Sequence, residues 1–145
     1  MFRKVVVAFD ESPEAERAFR AALDLSRSSA AESRIVTVVE NLPAYMGYVS
    51  AIAPDVPVLL INERRAFYGD LHSKAIRIAA EAGIHVQAEI VEGNEVDALL
   101  QVLERIKPDL LVVGLRQETG VVGRFLGGTA HQLALHARCY ILGIR

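Results

Sequence analysis

The sequence predicts an α/β protein with an open, five-stranded parallel sheet and helices on both faces of that sheet. Apolar residues are continuous rather than alternating in segments such as Val5–Phe9, which indicates strands that are covered on both sides. Segments of helical period separate these strands, and right-handed crossovers then make neighbouring strands parallel. The 145 residues fit one domain, so residues 1–145 are expected to fold as a single unit.

The first half of the chain begins with the strand at Val5–Phe9 and a helix that follows it. Ser12 is a suitable N-cap and Pro13 a suitable first helical residue, and the helix is expected to end near the polar residues 26–33. Residues 34–40 are predicted to be the second strand. Residues 41–57 contain three prolines and are predicted to be irregular; they could form a lid over a site, part of an interface, or a loop packed on its own domain.

The second half of the chain continues the alternation of helices and strands. A helix from about residue 60 ends at Gly83, a suitable C-terminal cap, and its predicted apolar face consists of Phe67, Leu71, Ala75, Ile78 and Ala82. Residues 85–91 alternate in polarity, which favours an edge strand. Asn94 can cap a helix that ends before Pro108 and whose predicted buried face is Val96, Leu99, Leu100, Leu103 and Ile106.

The last third of the chain is predicted to contain a strand at residues 110–113, a helix at 124–137 and a strand at 139–144. Between the first two lies a glycine-rich loop that lacks the Walker and G-x-G-x-x-G patterns. Gly127, Gly128 and Thr129 could offer N–H groups and a hydroxyl to a phosphate at the start of the helix. The alternative is a connection whose glycines only relieve crowding.

Asp10 directly follows the first strand, at an edge of the sheet where parallel α/β proteins bind ligands. Its carboxylate could accept hydrogen bonds from a sugar or a base. The alternative is that it only helps to cap the helix that begins near Ser12. Position alone leaves both interpretations open.

Composition excludes several classes of function. A net charge of -2 and a pI near 6.1 give no reason to expect a nucleic-acid partner. The five apolar residues before Asp10 are too few for a signal peptide or a membrane helix, so a cytoplasmic protein without a membrane partner is expected. Cys139 is the only cysteine, which excludes an internal disulfide.

Catalytic candidates are weak. His131 and His136 are five residues apart, a spacing that does not place them on one helix face, so no metal site is predicted. Cys139 lies among apolar residues, as a core thiol would. Since no residue stands out as a general base, we expect binding rather than catalysis, or at most slow nucleotide hydrolysis.

The final predicted strand is apolar on both faces. If it lies at an edge of the sheet, its unpaired backbone favours a two-fold dimer in which it pairs with itself. The alternative is an internal or covered strand. The predicted interface residues are Cys139, Tyr140, Ile141, Leu142, Gly143 and Ile144.

Three segments resemble the universal stress protein family. Val5–Ala18 (VVVAFDESPEAERA) resembles its opening strand, acid and helix; Pro108–Gly114 (PDLLVVG) resembles its fourth strand; and residues from Phe125 (FLGGTA) to Leu142 (LHARCYIL) resemble its closing helix and strand. The resemblance spans nearly the whole chain. It implies a Rossmann-like fold, similar to that of the adenine nucleotide alpha hydrolases, with strand order 3-2-1-4-5. It also implies dimerisation through the fifth strand and, in one subgroup, ATP binding.

The ATP-binding subgroup has the pattern Gly, two residues, Gly, nine residues, Gly, then Ser or Thr. Here Gly114 and Gly127 match the outer glycines, Gln117 replaces the middle one, and Gly128 stands at the hydroxyl position with Thr129 one place late. The phosphate half of the site is therefore altered.

The same resemblance implies that Asp10 contacts the ribose or adenine and that the backbone of Val38 recognises the adenine. The implied ligand is ATP or another adenine nucleotide, with Mg²⁺ only alongside it. The alternative function is a nucleotide-free, dimeric interaction module in stress response, whose residues 41–57 recruit a protein partner.

Overall fold

The computed structural model describes residues 1–116 and 128–145. The strands in these ranges are β1 (Lys4–Ala8), β2 (Glu32–Glu40), β3 (Val86–Gly93), β4 (Leu110–Gly114) and β5 (Tyr140–Ile144). The helices are α1 (Pro13–Ser29), α2 (Met46–Ile52), α3 (Asp55–Glu81), α4 (Glu95–Ile106) and α5 (Gly128–His136). The predicted beginning of the last helix, residues 124–127, lies outside the described residues.

All five strands run parallel in one sheet of order β3-β2-β1-β4-β5, which confirms the predicted fold class and strand order. β1 lies at the centre, where Val5, Val6 and Val7 pair with both β2 and β4. β3 and β5 are the edge strands; the alternating sequence of β3 predicts its position, and the strand order implied by the family resemblance predicts that of β5. The order reverses between β1 and β4, so the loops after these two strands diverge and leave an opening at the carboxyl edge.

The core consists of two layers, one on each side of the sheet. Val5 and Val7 point to the side covered by α1 and α3, while Val6 points to the side covered by α4 and α5. These three valines are at most 1% exposed. Because successive side chains of a strand face opposite ways, a run without polar residues fits only a strand buried on both faces.

Caps fix the helix ends close to the predicted residues. Ser12 Oγ accepts a hydrogen bond from the Ala15 N–H at 3.1 Å, with Pro13 as the first helical residue. At the other end α1 ends at Ser29, within the polar residues 26–33 where the sequence predicts its end. In its last turns the hydroxyl of Ser26 bonds to that of Ser33, which satisfies both polar groups inside the core.

The prediction of an irregular segment at residues 41–57 was wrong in part. α2 forms within it, and α3 begins at Asp55 rather than near residue 60. Pro57 is the third residue of α3, where the backbone N–H has no acceptor within the helix, so a proline there breaks no bond. Pro54, the N-cap residue, and Pro57 therefore mark the start of α3, whereas Pro43 lies in the irregular residues before α2.

The apolar face predicted for α3 was also wrong in its first half. Only His72, Ala75 and Ala79 of this helix are buried, and Phe67 is 53% exposed. With 27 residues the helix is about 40 Å long, whereas the nine residues of β2 span about 30 Å. Because α3 runs antiparallel to the strands, its first half extends past the carboxyl edge of the sheet. Within the described ranges, no helix is both long enough and apolar enough to span a bilayer.

Candidate functional site

A cleft of about 1150 Å³ opens at the carboxyl edge of the sheet. Asp10 from the end of β1, Val38 from β2 and Gly114 from β4 line it together with Gly128 and Thr129 at the start of α5. The fold therefore brings five predicted site residues to one cavity large enough for a nucleotide. The other two predicted residues, Gln117 and Gly127, lie outside the described residues.

Asp10 is held by bonds on both of its oxygens. Oδ1 accepts from the Ser12 N–H at 2.8 Å, and Oδ2 lies 3.3 Å from Arg116 Nη2. The first bond ties the carboxylate to the turn that precedes α1, so the capping interpretation is part of its role. The second points into the cleft, and because Arg116 is 70% exposed this ion pair is weak and exchangeable for a ligand.

Val38 presents backbone rather than side-chain groups. The Val36 carbonyl accepts from the Phe9 N–H at 2.9 Å, so it points toward β1. Backbone groups of residues two apart in a strand point the same way, so the N–H and C=O of Val38 face this side too. Since the pairing of β1 with β2 ends at Ala8 and Val36, these groups lie at the space beyond the end of β1. One donor and one acceptor at this place suit the edge of a planar base.

Gly114 is required by packing within the protein. A Cβ built on it would lie 2.5 Å from the Glu14 carbonyl carbon and 2.7 Å from the Ala15 nitrogen. The close approach made possible by this glycine is thus between β4 and the first turn of α1.

Thr129 brings an unexpected residue into the cleft. Its hydroxyl lies 3.3 Å from Oε2 of Glu95, the first residue of α4. Burial raises the pKa of the Glu95 carboxyl and Glu40 raises it further, whereas the Thr129 bond and Arg116 lower it. Sequence reasoning missed Glu95 because an acid in the first turn of a helix is already explained by the helix dipole.

The first half of α3 forms one wall of the cleft through Leu60, Arg64 and Phe67, together with Tyr68. The Tyr68 hydroxyl donates to Glu11 at 3.0 Å, and burial together with this bond raises the pKa of Tyr68 to about 12. The bond ties α3 to the turn after β1. These residues lie within the helix predicted from about residue 60, but Phe67 was assigned to its buried face and none of them was predicted to line a site.

A buried polar network lies beneath the cleft. The Thr37 hydroxyl lies 2.6 Å from the Phe9 carbonyl and 2.6 Å from His72 Nε2. A hydroxyl has one proton, and the carbonyl can only accept, so Nε2 of His72 carries a hydrogen and donates to Thr37. Burial lowers the pKa of His72, which keeps the ring neutral. The network fixes the end of β1 directly before Asp10.

The amino-acid sequence matches the Universal stress protein family over residues 1–145. The chain belongs to the universal stress protein family. A universal stress protein of Thermus aquaticus is 29% identical over 150 residues, with 100% of each chain covered.

Two solved structures extend the comparison. Universal stress protein UspA from Lactobacillus plantarum has a TM-score of 0.81 at 21% identity, covering 99% of this chain and 97% of that one. A universal stress protein in complex with cAMP has a TM-score of 0.64 at 26% identity, covering 99% and 97%. The first likeness shows the fold, and the second pairs this fold with a bound adenine nucleotide in another family member.

The closing strand of this universal stress protein begins at Tyr140, with Cys139 just before it. Tyr140 is 74% exposed, whereas Ile141, Leu142 and Ile144 are partly buried within their own protomer. Gly143 faces the Leu115 side chain, which lies 2.7 Å from where its Cβ would be. Burial raises the pKa of the Cys139 thiol, which disfavours the reactive thiolate.

Elsewhere the described part of this universal stress protein shows no group of three or more His, Cys, Asp or Glu residues placed to hold a metal ion. His131 and His136 are both exposed on α5. A pair of exposed imidazoles on different helix faces has no shared ligand position.

Proposed function

We propose that this universal stress protein binds an adenine nucleotide in the cleft at the carboxyl edge of its sheet, and that it acts in stress response by binding rather than by rapid catalysis. The observation that carries the proposal is that Val38, whose backbone faces the space beyond the end of β1, and the Asp10 carboxylate line the same cleft. A backbone donor and acceptor fit the polar edge of adenine, and a fixed carboxylate fits ribose hydroxyls. The family member that holds cAMP supports the same ligand class.

Isothermal titration calorimetry with cAMP, AMP and ATP tests this proposal, with ATP measured both with and without Mg²⁺. We expect saturable binding at micromolar to millimolar ligand and a loss of at least tenfold in affinity for Asp10→Ala. Asp24→Ala is the matched control, since it removes an exposed carboxylate of α1 that does not line the cleft. Absence of saturable binding for all three nucleotides at millimolar concentration would refute the proposal.

The same proposal includes a homodimer that pairs β5 with its copy. β5 lies at the edge of the sheet, and Tyr140 on it is 74% exposed. An edge strand with unpaired backbone groups gains hydrogen bonds and apolar contact when it pairs across a two-fold axis. Light scattering after size exclusion should give a dimeric mass for the wild type and a lower mass for Tyr140→Lys. Ile76→Lys, at an exposed apolar position of α3, serves as the control. A dimer unaffected by Tyr140→Lys contradicts pairing at β5.

A second candidate function is recruitment of a protein partner by α2 and the first half of α3. No residue of α2 is buried, and Asp55 is the only charged residue between positions 41 and 62. The exposed apolar side chains of this surface are Tyr45, Tyr48, Ile52, Val58 and Leu59. They expose roughly 600 Å² together, as much as the largest apolar patch of a typical monomer. Because the surface is nearly uncharged, its partner is expected to present an apolar face.

Site-specific photo-crosslinking in cells tests the recruitment. A photoreactive residue at Tyr48 should yield one defined adduct that persists in Asp10→Ala. The same residue at Glu104, an exposed position of α4, should yield no such adduct. An adduct with a second copy of this chain would instead assign the surface to self-association. Identical adducts from both positions would contradict a specific surface.

A further inference from the structure

Glu95 lines the same cleft as the Thr129 hydroxyl and Gly128 at the beginning of α5. It begins α4 directly after β3, and its Oε2 lies 3.3 Å from the Thr129 hydroxyl at the start of α5. A helix start and a hydroxyl both favour an anion. A carboxylate placed beside them supplies an anion that belongs to the protein.

The Thr129 hydroxyl has one proton, and Glu95 is its acceptor. A phosphate oxygen can use this donor only if it displaces the carboxylate. The separation of 3.3 Å is long for an O–H···O bond, so the bond itself is weak. What a phosphate meets at this place is therefore mainly the negative charge of Glu95.

The surrounding charges strengthen this effect. Among the described residues that line the cleft, five are acidic and three are arginines, the acids being Asp10, Glu11, Glu40, Glu63 and Glu95. Burial raises the pKa of Glu95, and the carboxylates of Glu40 and Asp10 raise it as well, while Arg116 lowers it. These directions show that Glu95 is in electrostatic contact with the groups expected around a nucleotide.

We propose that Glu95 limits the phosphate charge that the cleft accepts, so that the site favours cAMP or AMP over ATP. This inference rests on the proposed nucleotide site and names its ligand class more closely. Two like charges about 6 Å apart in a half-buried site repel enough to change affinity by roughly tenfold. cAMP, AMP and ATP form a series of rising negative charge, so the penalty grows along that series.

Calorimetry on the full chain at pH 8 tests the inference with adenosine, cAMP, AMP and ATP. Glu95→Gln removes the charge and keeps the size and an acceptor for Thr129. We expect ATP affinity to rise about tenfold, AMP affinity to rise by less than threefold, and adenosine affinity to stay unchanged. Asp97→Asn is the matched control, because it removes a charge from the same helix turn on an exposed side chain outside the cleft. It should change each affinity by less than twofold.

The outcomes separate the two proposals. If the wild type binds adenosine or AMP and Glu95→Gln leaves the ratio of ATP to AMP affinity unchanged, the role of Glu95 is refuted and the nucleotide site stands. If Glu95→Gln weakens ATP only when Mg²⁺ is present, Glu95 is a metal ligand and the inference is again refuted. If no adenine compound binds either protein, both proposals fail. Glu95→Ala, with thermal melting to confirm folding, repeats the test should the glutamine variant misfold.

Discussion

Replacement of Gly114 by alanine tests whether this glycine serves the packing of β4 against α1. Its added Cβ would lie 2.5 Å from the Glu14 carbonyl carbon and 2.7 Å from the Ala15 nitrogen, whereas ordinary contacts begin near 3.4 Å. The backbones of β4 and of the first turn of α1 must therefore separate by nearly 1 Å. The first turn of α1 cannot move freely, because the Ser12 hydroxyl bonds to the Ala15 N–H at 3.1 Å and the Asp10 carboxylate bonds to the Ser12 N–H at 2.8 Å.

Overpacking of this kind costs about 1 to 3 kcal/mol, and contact with backbone atoms of α1 rather than with a flexible side chain places Gly114→Ala near the upper value. Alanine also reduces the conformational entropy of the unfolded chain, which raises the free energy of unfolding by about 0.5 kcal/mol. The net loss of roughly 2 kcal/mol should lower the melting temperature by about 6 to 8 °C for a chain of this size. Gly114 does not have a positive φ, so backbone strain does not contribute to this difference.

Thermal and urea unfolding followed by circular dichroism measure the effect, with two other glycines as controls. Gly69→Ala lies in α3 with nothing within 4 Å of its Cβ, so it should stabilise the protein by about 0.5 to 1 kcal/mol. Gly83→Ala also meets open space but has a φ of +74°, so it should destabilise by about 1 kcal/mol. If Gly114→Ala melts at or above the wild-type temperature, the packing explanation is wrong.

Three further predictions concern the buried network, a charged bond and a helix cap. Burial lowers the pKa of His72 below 6.5 in the folded protein, so the neutral side chain stabilises the fold fully above pH 6.5, and this stabilisation is lost as the pH falls toward the folded pKa. The His72→Gln variant should therefore melt at a lower temperature than the wild type at pH 8 and should lose less stability than the wild type between pH 7 and 5. Hydrogen bonds from the Arg3 and Lys4 N–H groups lower the pKa of Asp109, so its contribution to folding stability is present above pH 3.8 and is lost as the pH falls below that value. The Asp109→Asn variant should melt at a lower temperature at pH 7, and its stability should depend less on pH in the acid range. An unchanged dependence on pH would contradict this prediction. Asn94→Ala removes the N-cap of α4 and should lower the free energy of unfolding, measured with urea, by about 1 kcal/mol. An unchanged free energy of unfolding would show that the cap does not stabilise the helix.

Local chemistry explains why much of the fold could be predicted from the sequence. Ser12 and Asn94 cap helices at the predicted places because a cap needs only a side chain and the N–H three residues later. Gly83 ends α3 with bonds from its own N–H to the Ala80 carbonyl and from Ile84 to the Ala79 carbonyl, again within one turn. Structural features that depend only on residues close together in the chain can therefore be predicted from the sequence.

The unpredicted features depend on contacts between distant segments. The buried hydroxyl of Ser26 on α1 is satisfied by that of Ser33 on β2, and no local pattern indicates that pairing. Tyr68 reaches the cleft only because α3 extends past the sheet to Glu11. Glu95 fits an ordinary first-turn acid until Thr129 is seen beside it. Such residues acquire their surroundings from tertiary structure.

The contact of Gly114 with α1 also changes how the glycine pattern of the family should be used to infer binding. A glycine that the protein needs for its own packing is retained whether or not a phosphate ever approaches it, so its presence says little about the ligand. The informative positions are those without a packing reason. The backbone of Val38 faces open space at the end of β1, and the charge of Glu95 lies beside the Thr129 hydroxyl without adding to the core. In the proposed nucleotide site, the carboxylate of Glu95 beside Thr129 favours a nucleotide of low charge, and the comparison of Glu95→Gln with Asp97→Asn measures that preference directly.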